Sequence, residues 1–283
     1  MDPLVSRDVL AARLGAPDLV VCDVRWYLTE PERGHRDYQQ GHVPGAQFVD
    51  LHHDLAGGPG GGRHPLPDVE AFTARLCRWG IAPDDTVIAY DDSGGAIAAR
   101  LWWMLRAIGH EHVAVLDGGW FGWRAASLPV TAAVETRPAT GYPAPEGWRG
   151  VVGADDVAAA PTTGTTVIDA RSPTRYRGDD EPIDPRAGHI PGAINLFHGD
   201  NLDDHGRHRS PAELSRRFDT VGDAPIVYCG SGVTACHDIL ALAVAGRTDA
   251  RLFPGSWSEW SSDPARPVAT GDEPGGPAAR SAP

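Results

Sequence analysis

Hydrophobic residues in this chain gather in short unbroken runs instead of alternating with polar ones. Leu19-Val20-Val21-Cys22, Val87-Ile88-Ala89-Tyr90, Val167-Ile168 and Ile226-Val227-Tyr228 are the clearest examples. Runs this short, bounded by Gly, Pro and Asp, predict strands covered on both faces, as in a parallel sheet. Mixed apolar and polar stretches between them carry helix punctuation. Ser6 and Asp68 predict N-caps, and Gly15 and Gly80 predict C-terminal stops. Ser210-Pro211-Ala212-Glu213 reads as a capping box with proline at the first helical position. Strands alternating with helices predict an α/β fold, a mainly parallel sheet with helices on both faces.

The pattern then occurs a second time. Asp23-Val24-Arg25 precedes Gly41-His42-Val43-Pro44-Gly45-Ala46, and Asp169-Ala170-Arg171 precedes Gly188-His189-Ile190-Pro191-Gly192-Ala193. Each copy continues with a strand ending in tyrosine (Tyr90, Tyr228), a glycine-containing turn, a helix and a Trp-bearing segment. We therefore expect two tandem domains of one fold, at 1–130 and 151–270. Residues 131–150, rich in Pro and Gly, read as an extended linker, and 271–283 as a disordered tail.

A length of 283 residues suits two such domains, and 41% hydrophobic with 22% charged residues is ordinary for a soluble protein. No run reaches membrane-helix length, and Met1-Asp2-Pro3 does not open a secretory signal, so a cytoplasmic protein is expected, with no membrane partner. The net charge is −13 and all 25 basic residues are arginine. The absence of lysine excludes Schiff-base chemistry and a phosphate-loop lysine. Such acidity also argues against nucleic acid as a partner. Four cysteines (Cys22, Cys77, Cys229, Cys236) make no disulfide framework and no Cys-x-x-Cys pair. The twelve histidines show no metal-ligand spacing, so neither a metal nor a cofactor is expected. Gly57–Gly62 reads as a loop. His42, His189, Asp23 and Asp169 recur in both copies and are expected to be structural.

The copies diverge after the tyrosine. The second reads Cys229-Gly230-Ser231-Gly232-Val233-Thr234-Ala235-Cys236, and the first has Asp91 in the place of Cys229. Only the second copy can therefore do covalent thiol chemistry. Cys229 follows a strand's C-terminal end, where open α/β sheets place ligand sites. Gly230 and Gly232 let the backbone curl so that amides can face the sulfur, and a helix from about Val233 adds its positive end. That setting favours a thiolate and a persulfide. Cys22, Cys77 and Cys236 read as core residues.

These motifs together resemble the tandem-domain rhodanese family, the thiosulfate and 3-mercaptopyruvate sulfurtransferases, over about residues 5–270. The resemblance implies a silent N-terminal domain and a catalytic C-terminal one, with the site facing the cleft between them. It implies that Cys229 takes sulfane sulfur from a small-molecule donor and passes it to a thiol acceptor such as thioredoxin or glutathione, or to cyanide. The uncharged loop, including Val233 and Thr234, is similar to that of 3-mercaptopyruvate members, which favours that donor. Thiosulfate:cyanide sulfur transfer is the alternative, and a non-catalytic binding module a distant one. A cysteine phosphatase is disfavoured because Ala235 stands where a phosphate-clasping arginine is needed. Within this resemblance Arg175 and Arg186 would bind the donor carboxylate. Ser231 would pair with His64, while His52 stands where the family's aspartate belongs.

Overall fold

The computed structural model describes residues 1–275, so the part of the expected tail at 276–283 lies outside the described residues. The chain divides into two compact units.

The first unit comprises 1–58, 66–149 and 202–209. Its elements are β1 (Leu4–Val5), α1 (Arg7–Arg13), β2 (Leu19–Asp23), α2 (Arg33–Gln40), β3 (Gln47–Phe48), α3 (Val69–Arg78), β4 (Thr86–Tyr90), α4 (Ala98–Ala107), β5 (Val113–Leu116) and α5 (Gly119–Ala125). The five strands form a parallel sheet in the order β1-β5-β4-β2-β3. Every residue of β2, β4 and β5 is buried, which is why these strands read as continuous apolar runs. Ser6 caps α1 through its side chain. Asp68 holds the N-cap position of α3 without a side-chain bond. Gly15 and Gly80 follow their helices at positive φ, as stop residues do.

The second unit comprises 59–65, 150–201 and 210–275 of the described chain. It contains α6 (Ala154–Thr163), β6 (Val167–Asp169), α7 (Pro173–Arg177), β7 (Ala193–Asn195), a 3-10 turn (His198–Asn201), α8 (Pro211–Arg217), β8 (Ile226–Tyr228), α9 (Ala235–Val244), β9 (Arg251–Leu252) and α10 (Ser256–Ser262). The four strands are again parallel, in the order β7-β6-β8-β9. The capping box at Ser210 and Glu213 forms as expected.

The duplicated motifs build the same knot in each unit. Arg171 forks onto Asp169 (Nη2–Oδ2 2.6 Å) and donates to the Gly188 carbonyl at 2.7 Å. Arg25 does the same with Asp23 at 2.6 Å and Gly41 at 2.8 Å. Burial works against the charge on Arg171, but Asp169 outweighs it and holds the guanidinium above its usual value. His42 and His189 bond the carbonyls of Tyr38 and Tyr176 through Nδ1. These residues tie strand ends to loops, a structural role.

Segment 131–149 is extended but runs along the first unit. Arg137 donates to the carbonyls of Pro17, Leu19 and Gly80, and Trp148 to that of Pro67. Residues 271–275, which composition placed in a tail, also make contacts: the Pro274 carbonyl accepts from the Gly192 amide at 2.6 Å. Two short segments belong with the other half of the chain: 59–65 with the second unit and 202–209 with the first. Sequential domain boundaries do not capture that exchange.

Candidate active site

Cys229 stands immediately after β8 and is 2% exposed. Its amide donates to Ser256 Oγ at 3.1 Å, and its carbonyl accepts from the Trp257 amide. Gly230 and Ser231 follow, both buried, then Gly232 at φ +76°. A Cβ on Gly232 would lie 2.5 Å from the Pro254 carbonyl oxygen, so only glycine lets the loop lie this close to that turn. Val233 is buried, and Thr234 is the N-cap residue of α9, which begins at Ala235, slightly later than the sequence suggested. Cys236 is thus the second residue of that helix, buried, with Sγ at 3.3 Å from the Gly232 carbonyl.

The first unit has a corresponding strand–loop–helix segment after Tyr90. There the Asp91 carboxylate occupies the cysteine's place, and both oxygens accept backbone N–H groups. Ser93 and Gly95 bond Oδ1 at 2.9 and 2.8 Å, and Ile97 and Ala98 bond Oδ2 at 2.8 Å each. Four amides converging on one carboxylate make this an anion-holding backbone.

Ser231 and His64 come together within the second unit: Oγ and Nδ1 are 2.8 Å apart and both residues are buried. Gly57–Gly62, read from sequence merely as a loop, is what brings His64 there. Gly60, Gly61 and Gly62 all have positive φ, and a Cβ on Gly62 would lie 2.5 Å from the Gly255 carbonyl oxygen. The Arg63 amide then donates to Ser258 Oγ at 3.0 Å, docking the segment beside α10. His52, at the expected aspartate position, is exposed and packs edge-on against Trp26.

Arg175, on α7, lies at the site. It bonds Glu181 through Nε (3.2 Å) and Nη2 (2.7 Å), and Asp184 through Nη2 (3.0 Å). Its Nη1 would be 3.2 Å from a Cβ on Gly230. Arg186 is elsewhere, a correction to the expectation from sequence. Its guanidinium donates to four backbone carbonyls, those of Trp260, Ser261, Asp263 and Arg266, at 2.6 to 3.0 Å. Four of its five N–H donors are spent around the end of α10, so it is a structural clasp with no free edge for a two-bond grip on a carboxylate.

Sequence reasoning missed Arg63, Glu181, Asp184 and Ser256. Glu181 links the Arg171 knot to Arg175, and Asp184 links Arg175 to Arg63. Arg63 had one signal, its place between the glycine run and His64.

Of the other cysteines, Cys22 is fully buried, and burial first, then the Asp23 charge, pushes its thiol up to about 12. Cys77 is only half-buried, because it sits at the edge of α3 and not in the core as expected. Among the described residues, no helix is long and apolar enough to cross a membrane.

Comparison with known proteins places this geometry in context. The family model described as Rhodanese-like domain matches twice, at residues 6–126 and 153–263. The chain is 45% identical to the "Probable 3-mercaptopyruvate sulfurtransferase" of Pseudomonas aeruginosa, covering 95% of this chain and 98% of that protein. It is also 45% identical to the "Putative thiosulfate sulfurtransferase SseB" of Mycobacterium tuberculosis, covering 95% and 97%. The crystal structure of SseA from Escherichia coli, a 3-mercaptopyruvate sulfotransferase, superposes with a TM-score of 0.80 at 32% identity, covering 91% of this chain and all of that one.

Proposed function

The chain belongs to the rhodanese family, as two tandem rhodanese-like domains, and we propose that its second domain carries sulfur as a persulfide on Cys229. It is a sulfurtransferase, and its substrates are a small-molecule sulfur donor and an acceptor. The observation that supports the site assignment is the pair of matching positions: in the first unit the backbone after the strand holds the Asp91 carboxylate through four amides, and in the second unit Cys229 stands at the corresponding place after β8.

In the proposed first half-reaction the Cys229 thiolate attacks the thiol sulfur of 3-mercaptopyruvate. The new S–S bond forms as the donor C–S bond breaks, and the electron pair moves to the methylene carbon. Pyruvate enolate leaves and takes up a proton. The Ser231–His64 pair, hydrogen-bonded at 2.8 Å, is suited to hold that proton. In the second half-reaction an acceptor thiolate attacks the outer sulfur and Cys229 leaves as thiolate. Gly230, Gly232, Val233 and Thr234, in the loop that follows Cys229, are proposed to line the donor site.

The donor is proposed to be 3-mercaptopyruvate because the loop carries no charge while Arg175 faces it from α7. The acceptor is proposed to be a small or protein thiol such as glutathione or thioredoxin, or cyanide, and four free cysteines suit a cytoplasmic setting. Thiosulfate remains the second donor reading, supported by the name of the mycobacterial relative.

The test is mass spectrometry of the intact protein after incubation with donor. One added sulfur on Cys229, absent in Cys229→Ser, is the expected result. Sulfur on another cysteine would overturn the assignment, and a higher kcat/KM with thiosulfate would overturn the donor.

A further inference from the structure

We infer that Arg63, and not Arg186, is the second arginine of the donor site, gripping the donor carboxylate together with Arg175 over Gly230. This rests on the reading of Cys229 as the sulfur carrier. The two guanidiniums are set by one buried carboxylate: Asp184 accepts from Arg63 Nη1 at 2.7 Å and from Arg175 Nη2 at 3.0 Å, and its side chain is 3% exposed. Their other nitrogens turn toward the loop. A Cβ on Gly230 would stand 3.0 Å from Arg63 Nη2 and 3.2 Å from Arg175 Nη1.

The edges of the two groups differ. Arg175 spends its Nε/Nη2 edge on Glu181, which leaves Nη1 for a ligand. Arg63 spends only Nη1. Its Nε is buried with no acceptor among the described residues, and Nε and Nη2 share the edge that grips a carboxylate through two parallel bonds. Arg63 thus offers the fork and Arg175 an additional donor, one residue along from Cys229.

Charge balance points the same way. Asp169, Glu181 and Asp184 face Arg171, Arg175 and Arg63 in one connected network. Without Arg63 the network keeps three carboxylates against two guanidiniums and repels an anionic donor. With it the network is neutral and shows N–H groups to the loop. The glycine run at 60–62, which threads past the Gly255 carbonyl, is what sets Arg63 at this point.

The experiment compares alkylation of Cys229 by iodoacetate, which carries a carboxylate, with that by iodoacetamide, its neutral isostere. The ratio of the two rates cancels changes in thiol reactivity that a substitution causes for structural reasons. In Arg63→Ala the iodoacetate-to-iodoacetamide ratio is expected to fall roughly ten- to a hundredfold, as loss of a charge-assisted fork implies. In Arg186→Ala it is expected to stay within about twofold of wild type, the fork's loss being specific to Arg63. An unchanged ratio in Arg63→Ala, or an equal fall in Arg186→Ala, overturns the inference. Arg63→Lys keeps the charge without the fork, so full recovery of the ratio in that variant would also overturn it. Failure of Cys229 to acquire sulfur from donor in wild type would instead refute the sulfur-transfer reading, and the alkylation ratio still reports the clamp.

Discussion

Replacing Gly232 by alanine is expected to damage the site and its unit together, whereas the same change at Gly230 should spare the fold. Gly232 has φ +76°, a region that costs an L-residue about 1–2 kcal/mol. Its new Cβ would meet backbone, 2.5 Å from Pro254 O and 2.9 Å from Pro254 Cα. Backbone cannot rotate away as a side chain can, and overpacking of this kind adds about 1–3 kcal/mol. The total, about 2–5 kcal/mol, corresponds to a fall in Tm on the order of 10 °C. Relief requires the 229–234 loop to part from the turn at Pro254, which leads to Ser256, the partner of the Cys229 amide. Gly232→Ala should therefore melt early and form little persulfide. At Gly230 the Cβ would meet only guanidinium ends, at 3.0 and 3.2 Å, and these can give. Gly230→Ala should keep its Tm and lose donor kcat/KM. Calorimetry and intact mass after donor exposure read both effects. A Gly232→Ala protein with wild-type Tm and full persulfide formation would refute the reasoning.

Arg186→Ala should lower stability by about 2–4 kcal/mol through loss of charged bonds to four carbonyls, with donor KM little changed at temperatures where it is folded; denaturant melts and kinetics on one preparation decide it. Burial raises the Asp238 carboxyl to about 7, despite the opposing Asn201 hydrogen bond and Arg217 charge. From the ordinary carboxylate range up to about 7 the folded protein therefore holds a proton that the unfolded chain has released, so this group's contribution to stability falls as pH rises through that window and stays low above it. Asp238→Asn should accordingly stabilise at pH 8 relative to wild type, by at most on the order of 4 kcal/mol, with the difference fading toward pH 4; urea midpoints at the two pH values test the sign. Cys22, its thiol pushed up to about 12, should resist alkylation in the folded protein at pH 8 while Cys229 reacts, which peptide mapping would show.

Sequence alone determined the duplicated α/β architecture, because both local signals are strong. Parallel strands buried on both faces must be short apolar runs, as β2, β4 and β8 are. A motif present twice exposes its own exceptions, and the exchange of Asp91 for Cys229 was visible without coordinates. Asp23, His42, Asp169 and His189 act on neighbours within their own copy, so recurrence was enough to mark them structural. Only tertiary structure decided which arginines lie beside Gly230, namely Arg63 and Arg175. Arg186 has the right sequence surroundings, but its guanidinium reaches carbonyls some 75 residues away at the end of α10. Arg63 has a sequence separation of 121 from Asp184 and directly follows a stretch that composition marks only as a loop. Local pattern encodes which face of a strand or helix is buried. It does not encode where a glycine-rich loop finally docks, since that depends on which distant backbone leaves room for residues without a Cβ.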